Sequence, residues 1–299
     1  MRRFSIFFIF LIIIMSFNSY SIGFNKSLDM AQMTGKDILV FFYRPSDLIW
    51  QGFSTNFFNS ANLDRLTKEY VLVFLNYDKY INLVYHYSIN DPNVLLIIDS
   101  KANEIDRIKI DHVPSDQNSF IKAIKDLRES SENLYQLKRK ERRYPDNYYY
   151  KYRLSQKYLE RNKLKKSELM LIDTINLFPT YKKAYISLAS LYRMTGNFNE
   201  ALSILNVAQK LDYENNIVHI EKAKTYFESG DMTKAIKELE SIVRPDRETL
   251  FEKDLLKVYI YSVLGNRGQA EKALDDVEDF AKISIYTKYA REFFEERFD

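Results

Sequence analysis

The stretch 182–215, KKAYISLASLYRMTGNFNEALSILNVAQKLDYEN, decides the fold of half the chain. Tyr185, Leu188, Ala189 and Tyr192 recur at helical spacing before Gly196. Phe198, Ala201, Leu205 and Ala208 do so after it. Two amphipathic helices therefore flank one glycine. The chain has only seven glycines, and Gly196, Gly230 and Gly265 recur at intervals of 34 and 35. Ala201, Ala235 and Ala270 follow each by five positions, and Tyr192, Tyr226 and Tyr261 precede each by four. Such a period means stacked helix pairs, because one pair cannot bury its apolar stripe alone. Small residues let the two helices of a pair approach closely. A glycine gives the first helix a left-handed end.

The pattern extends in both directions. One copy runs from about Asn216 to Asp246, and another begins near Phe251. Upstream, Pro145 and Pro179 stand one such period apart and bracket Leu154, Ser155, Tyr158, Ser167, Leu171 and Thr174 in register. Asn162 stands there in place of the glycine and tolerates the same left-handed geometry. Residues 283–299 read as one further helix, with Glu292, Glu295 and Glu296 suited to the solvent side of a cap.

This array resembles the tetratricopeptide repeat (TPR). The resemblance implies an all-α solenoid over 147–282, about four repeats, whose first helices line a concave groove for protein partners. Carried across by position, the lining comprises Tyr149, Tyr152, Gln156, Lys183, Ile186, Ser190, Arg193, Lys224, Phe227 and Tyr259. Each of these either faces a partner or packs between repeats. Aromatics mixed with a few cations suit a segment carrying some acidic residues. One subfamily clamps carboxylates with Lys and Asn at fixed positions. Tyr152 and Gln156 occupy two of those positions here, so that clamp is not expected.

Residues 25–128 alternate helix and strand patterns. Ile38 to Tyr43 is a continuous apolar run, as in a strand covered on both faces. Tyr70 to Tyr77, Val94 to Ile98 and Glu104 to Ile110 read as further strands, the last two joined by a turn at Asp99 to Asn103. The segment from Asp116 to about Arg128 is amphipathic. A helical linker over 129–146 leads to the array. The run from Gly35 to Phe42, together with Phe58 and Asp91-Pro92-Asn93-Val94, resembles a thioredoxin-like α/β domain lacking its first strand. The resemblance implies a cis peptide bond before Pro92. It also places the Cys-x-x-Cys positions at Asp47 and Trp50. Trp50 is then either an apolar anchor for a bound peptide or a packing residue.

The chain contains no cysteine, which excludes disulfide exchange by this domain. His86, His112 and His219 lie in separate segments without ligand spacing, so no metal is expected. Phosphate-loop and nucleophile-elbow motifs are absent, and no catalytic residue or cofactor is expected. Residues 1–21 pair Arg2 and Arg3 with a short apolar stretch and small residues near Ser21. That is the pattern of an export signal peptide, with an uncleaved membrane anchor as the alternative. Without those two arginines, 42 basic residues face 41 acidic ones. This balance gives no global attraction to nucleic acid. The run Lys138 to Arg143 reads as a solvated helix face. The expectation is an exported, non-enzymatic adaptor that docks protein partners in the cell envelope. A holdase chaperone for unfolded clients is the alternative.

Overall fold

The computed structural model describes residues 23–57, 60–110, 117–212, 215–281 and 284–298. The expected signal segment, Phe58 and His112 lie outside these residues. The chain forms two compact units that meet in sequence between Lys163 and Leu164.

The first unit begins with α1 (Phe24–Thr34), β1 (Asp37–Tyr43), α2 (Leu48–Phe57), α3 (Ser60–Glu69) and β2 (Tyr70–Asn76). It continues with α4 (Ile81–Tyr87), β3 (Val94–Ile98), β4 (Glu104–Lys109), α5 (Gln117–Glu129), α6 (Leu134–Arg143) and α7 (Tyr148–Leu159). The sheet has the order β2-β1-β3-β4. β1 runs parallel to β2, from Asp37 opposite Tyr70 to Tyr43 opposite Asn76. β3 is antiparallel to both β1 and β4. The unbroken apolar run of β1 follows from its central place. Leu39 and Phe41 pack on one face with Trp50, Phe57, Leu66, Phe120 and Ile124. Ile38, Val40 and Phe42 pack on the other with Ala31, Val84 and Tyr87. The turn at Asp99 to Asn103 closes the β3–β4 hairpin, with Asp99 Oδ1 accepting from the backbone N–H groups of Lys101 and Asn103, both at 2.8 Å.

The expected linker and the expected first array helix both lie within this unit. The reason is a buried ion network between β4 and the end of α7. Arg161 is fully buried and donates to Glu104 Oε1 at 2.8 Å and to Asp106 Oδ1 at 2.7 Å. Lys157 donates to Asp106 Oδ2 at 2.7 Å. Arg107 grips Glu104 through two N–H groups at 2.7 and 2.8 Å. Burial by itself would raise the Glu104 carboxyl. Hydrogen bonds from Arg107 and the charges of Arg161 and Arg107 outweigh it and hold the group at about 2.

The second unit is helical: α8 (Leu164–Leu177), α9 (Lys182–Met194), α10 (Phe198–Leu211), α11 (Asn216–Glu228) and α12 (Met232–Glu240), then α13 (Arg247–Val263), α14 (Arg267–Ala281) and α15 (Ile285–Phe298). Gly196, Gly230 and Gly265 all adopt positive φ, at 78°, 88° and 71°. The next residue in each case donates its N–H to the carbonyl of Tyr192, Tyr226 or Tyr261 at 2.8–2.9 Å. This closes the helix end as a Schellman-type cap. Asn162 in the first unit takes φ 51°, and Lys163 N–H donates to the Tyr158 carbonyl at 2.9 Å. The degenerate position therefore keeps the geometry without the glycine. Ala189, Ala201, Ala223, Ala235 and Ala270 are all buried, as expected of close helix contacts. Ala290 and Phe294 of α15 cover Val258, Ala273 and Val277. Glu292, Glu295 and Glu296 face solvent.

Candidate functional site

Three successive first helices, α9, α11 and α13, build the site. Arg193, Lys224, Phe227 and Tyr259, four of the residues expected to line the groove, come together around a cavity of about 580 Å³. Phe251, Leu255 and Tyr286 complete its apolar wall, and Glu228, Glu248 and Glu252 its polar rim.

The charges form an alternating ladder. Arg193 pairs with Glu228 and lies 3.6 Å from Glu221. Glu221 pairs in turn with Lys224 at 2.9 Å, and Lys224 reaches Glu252 at 3.4 Å. Arg193 and Lys224, two of the three cations in the expected lining, are thus held by carboxylates of the protein itself. The acidic partners that the sequence pattern suits are, for these two side chains, already present within the protein. The physical reason is that side chains on adjacent first helices lie within ion-pair reach once the helices stack.

The remaining expected residues behave differently. Lys183 is exposed. Ile186 packs with Tyr185, Ala189 and Ala201, and so belongs to the repeat core. Ser190 accepts from Arg193 at 3.3 Å. Tyr149, Tyr152 and Gln156 stand on α7 in the sheet-bearing unit. The Tyr149 hydroxyl donates to Glu132, which Arg153 also holds at 2.7 Å.

Asp47 and Trp50, the positions expected to match a redox motif, have structural roles. Asp47 caps α2, its Oδ1 accepting from Ile49 N–H at 2.8 Å. Trp50 is 5% exposed and stacks on Tyr43 with ring centroids 4.7 Å apart, so it is a core residue and not an anchor for a ligand. The bond before Pro92 is trans, since no described peptide bond is cis. Here Asp91 Oδ1 accepts from Asn93 N–H at 2.8 Å and shapes the turn with the ordinary isomer. His219 Nδ1 lies 2.7 Å from Glu238 Oε2, and His86 packs edge-on against Tyr87. Among the described residues no group of three acidic or histidine side chains is arranged to hold a metal. No helix among them is long and apolar enough to cross a membrane. In the basic run, Arg139, Arg142 and Arg143 are exposed.

Sequence reasoning missed Glu248 and Phe251. α9 and α11 begin at Lys182 and Asn216, equally far ahead of Gly196 and Gly230. α13 begins at Arg247, a full turn earlier relative to Gly265. The extra turn, residues 247–250, carries Glu248 to the cavity, and Phe251 follows directly after it. Its signal was Asp246, whose side chain accepts from Thr249 N–H at 2.8 Å as the helix cap.

No family model matches the chain, and no curated protein sequence matches it. Solved structures do. A chain of the Cut9–Hcn1 hetero-tetramer of the APC/C aligns with 60% of this chain over 36% of its own length, at 12% identity and a TM-score of 0.50. A thermophilic TPR protein of Thermus thermophilus aligns with 54% of this chain over 88% of its own, at 17% identity and a TM-score of 0.47. Pseudomonas aeruginosa PilF aligns with 53% over 72%, at 12% identity and a TM-score of 0.42. The likeness is one of fold. The chain is a TPR-like helical solenoid with a small four-stranded mixed sheet toward its N-terminus.

Proposed function

We propose that this protein is a non-enzymatic adaptor that docks a partner protein in the groove of its repeat array, in the cell envelope. The observation that carries the reading is the cavity on α9, α11 and α13, where Phe227, Phe251, Leu255 and Tyr259 are only partly buried by the protein itself. Aromatic side chains that remain accessible in a concave site are the usual anchors of protein recognition. The repeat fold of the structural neighbours supports a protein-interaction role.

The sheet unit is read as a thioredoxin-like domain without redox chemistry. A four-stranded mixed sheet covered by helices on both faces supports that identity. A helix cap at Asp47 and a core ring at Trp50 fill the two motif positions, so the domain serves as a scaffold. The envelope location rests on the signal-like sequence of residues 1–21.

Affinity purification of the full chain from the envelope fraction tests the reading. A partner in constant ratio is expected, and it should be lost with Tyr286→Ala at unchanged helicity and melting temperature, and with Phe227→Ala, which also unpacks part of the repeat core. Tyr286 is 59% exposed, so its removal leaves the fold intact. Retention of the same partner by both variants would rule out the groove.

A further inference from the structure

The ladder in the groove also constrains the chemistry of the occupant. Its members run Glu228, Arg193, Glu221, Lys224, Glu252, so it begins and ends on a carboxylate. Three anions thus flank two cations. Glu248, on the extra turn of α13, adds a fourth carboxylate to the same cavity. The cations are more enclosed than the carboxylates at the two ends, with Arg193 at 15% and Lys224 at 28% of their side-chain surface exposed, and Glu221 between them is enclosed as well, at 11%. The terminal carboxylates of Glu228 and Glu252 are 38% and 45% exposed, and Glu248 is exposed as well. An incoming segment therefore meets carboxylates first. Within the ladder, Arg193 Nε and Glu221 Oε2 are buried and make no hydrogen bond.

We infer that the groove takes a segment bearing lysine or arginine beside aromatic or aliphatic side chains. This deepens the docking reading and rests on it. The apolar residues of such a segment would cover Phe227, Phe251, Leu255 and Tyr259. Its cation would neutralise the surplus of carboxylates at Glu248 and Glu252. An acidic segment faces like charge at the rim and would have to break existing pairs to reach Arg193 or Lys224. Opposite charge across an interface sets partner choice and approach rate more than total affinity.

Three fluorescent peptides of one length test this with the full chain. One alternates leucine and phenylalanine with lysine, one replaces the lysines by glutamate, and one by glutamine. The lysine peptide should bind tightest and weaken as salt rises. The Glu248→Gln/Glu252→Gln double variant should lose on the order of tenfold for the lysine peptide and little for the glutamine peptide. Glu248 is exposed and makes no ion pair among the described residues, so Glu248→Lys alone is a second variant that breaks no pair, and it should shift preference toward the glutamate peptide. Equal or tighter binding of the glutamate peptide to the native chain would overturn the inference. So would a double variant that binds all three unchanged, or no binding of any peptide. If a cellular partner depends on Tyr286 but is indifferent to Glu248 and Glu252, the groove stands and the charge assignment falls.

Discussion

Replacing Arg161 by methionine should loosen α7 from the sheet, by an amount the network itself sets. Methionine keeps an unbranched apolar stem but donates nothing. The change removes the bonds to Glu104 at 2.8 Å and to Asp106 at 2.7 Å, and one to the Lys157 carbonyl at 2.7 Å. Charged hydrogen bonds contribute about 1.5–3 kcal/mol each. Breaking a buried pair from one side costs about 3–5 kcal/mol. Here neither carboxylate is left bare, because Glu104 keeps Arg107 and Asp106 keeps Lys157. The lower end, about 3 kcal/mol, is therefore expected. Hydrogen exchange of the α7 backbone amides measures it directly. A local opening made easier by that amount should speed exchange by on the order of a hundredfold. Glu160→Gln is the control. Glu160 is 53% exposed and 3.3 Å from Arg161, so its pair should contribute under about 1 kcal/mol. If Arg161→Met exchanges no faster than Glu160→Gln, the network does not hold α7 on β4, and the place given to this helix is wrong.

Glu104 should also make the sheet unit acid-sensitive. Its folded value of about 2 lies below the ordinary 4.5, so its contribution is full above pH 4.5 and disappears as pH falls through 2. Roughly 3 kcal/mol is at stake. Urea midpoints measured across that window should fall more steeply for the native chain than for Glu104→Gln, and parallel curves would contradict the assignment. Gly230→Ala should destabilise the array by about 1–2 kcal/mol through strain alone. The residue sits at φ 88° with open space around its missing side chain, so a melting temperature at or above the native value would show that the cap relaxes. Trp50→Ala should cost about 3–5 kcal/mol in thermal unfolding while leaving partner capture intact, and a loss of capture without loss of stability would restore it as an anchor. Asp47→Ala should cost about 1 kcal/mol by removing the α2 cap, read from the shift in urea midpoint.

The array was legible because its constraints are local. A left-handed backbone position tolerates few residue types, and Gly196, Gly230 and Gly265 mark three such positions. The strands were legible for a similar reason, since burial on both faces leaves a continuous apolar run in β1. The groove was only half legible. Position within the repeat identified Arg193, Lys224, Phe227 and Tyr259, yet it could not show that two of them were already neutralised. That pairing depends on neighbours in the next repeat, such as Glu228 for Arg193 and Glu252 for Lys224. Glu248 escaped because repeat arithmetic assumes equal helix lengths, and α13 is longer. Arg161 escaped because its partners, Glu104 and Asp106, are remote in sequence, on a strand whose alternation reads as half solvated.

The placement of α7 bears on how such a chain can be inherited in pieces. Repeat periodicity suggests a seam at Pro145, and shuffling a gene there would look harmless on paper. It would send Arg161 and Lys157 into one descendant and Glu104 and Asp106 into another. The first would expose two cations on a helix end. The second would keep Arg107 on Glu104 but leave the buried Asp106 without a cation. A recombination point after Lys163 separates none of them. The lineage of the array and the lineage of the sheet should therefore join one helix later than the repeat pattern implies.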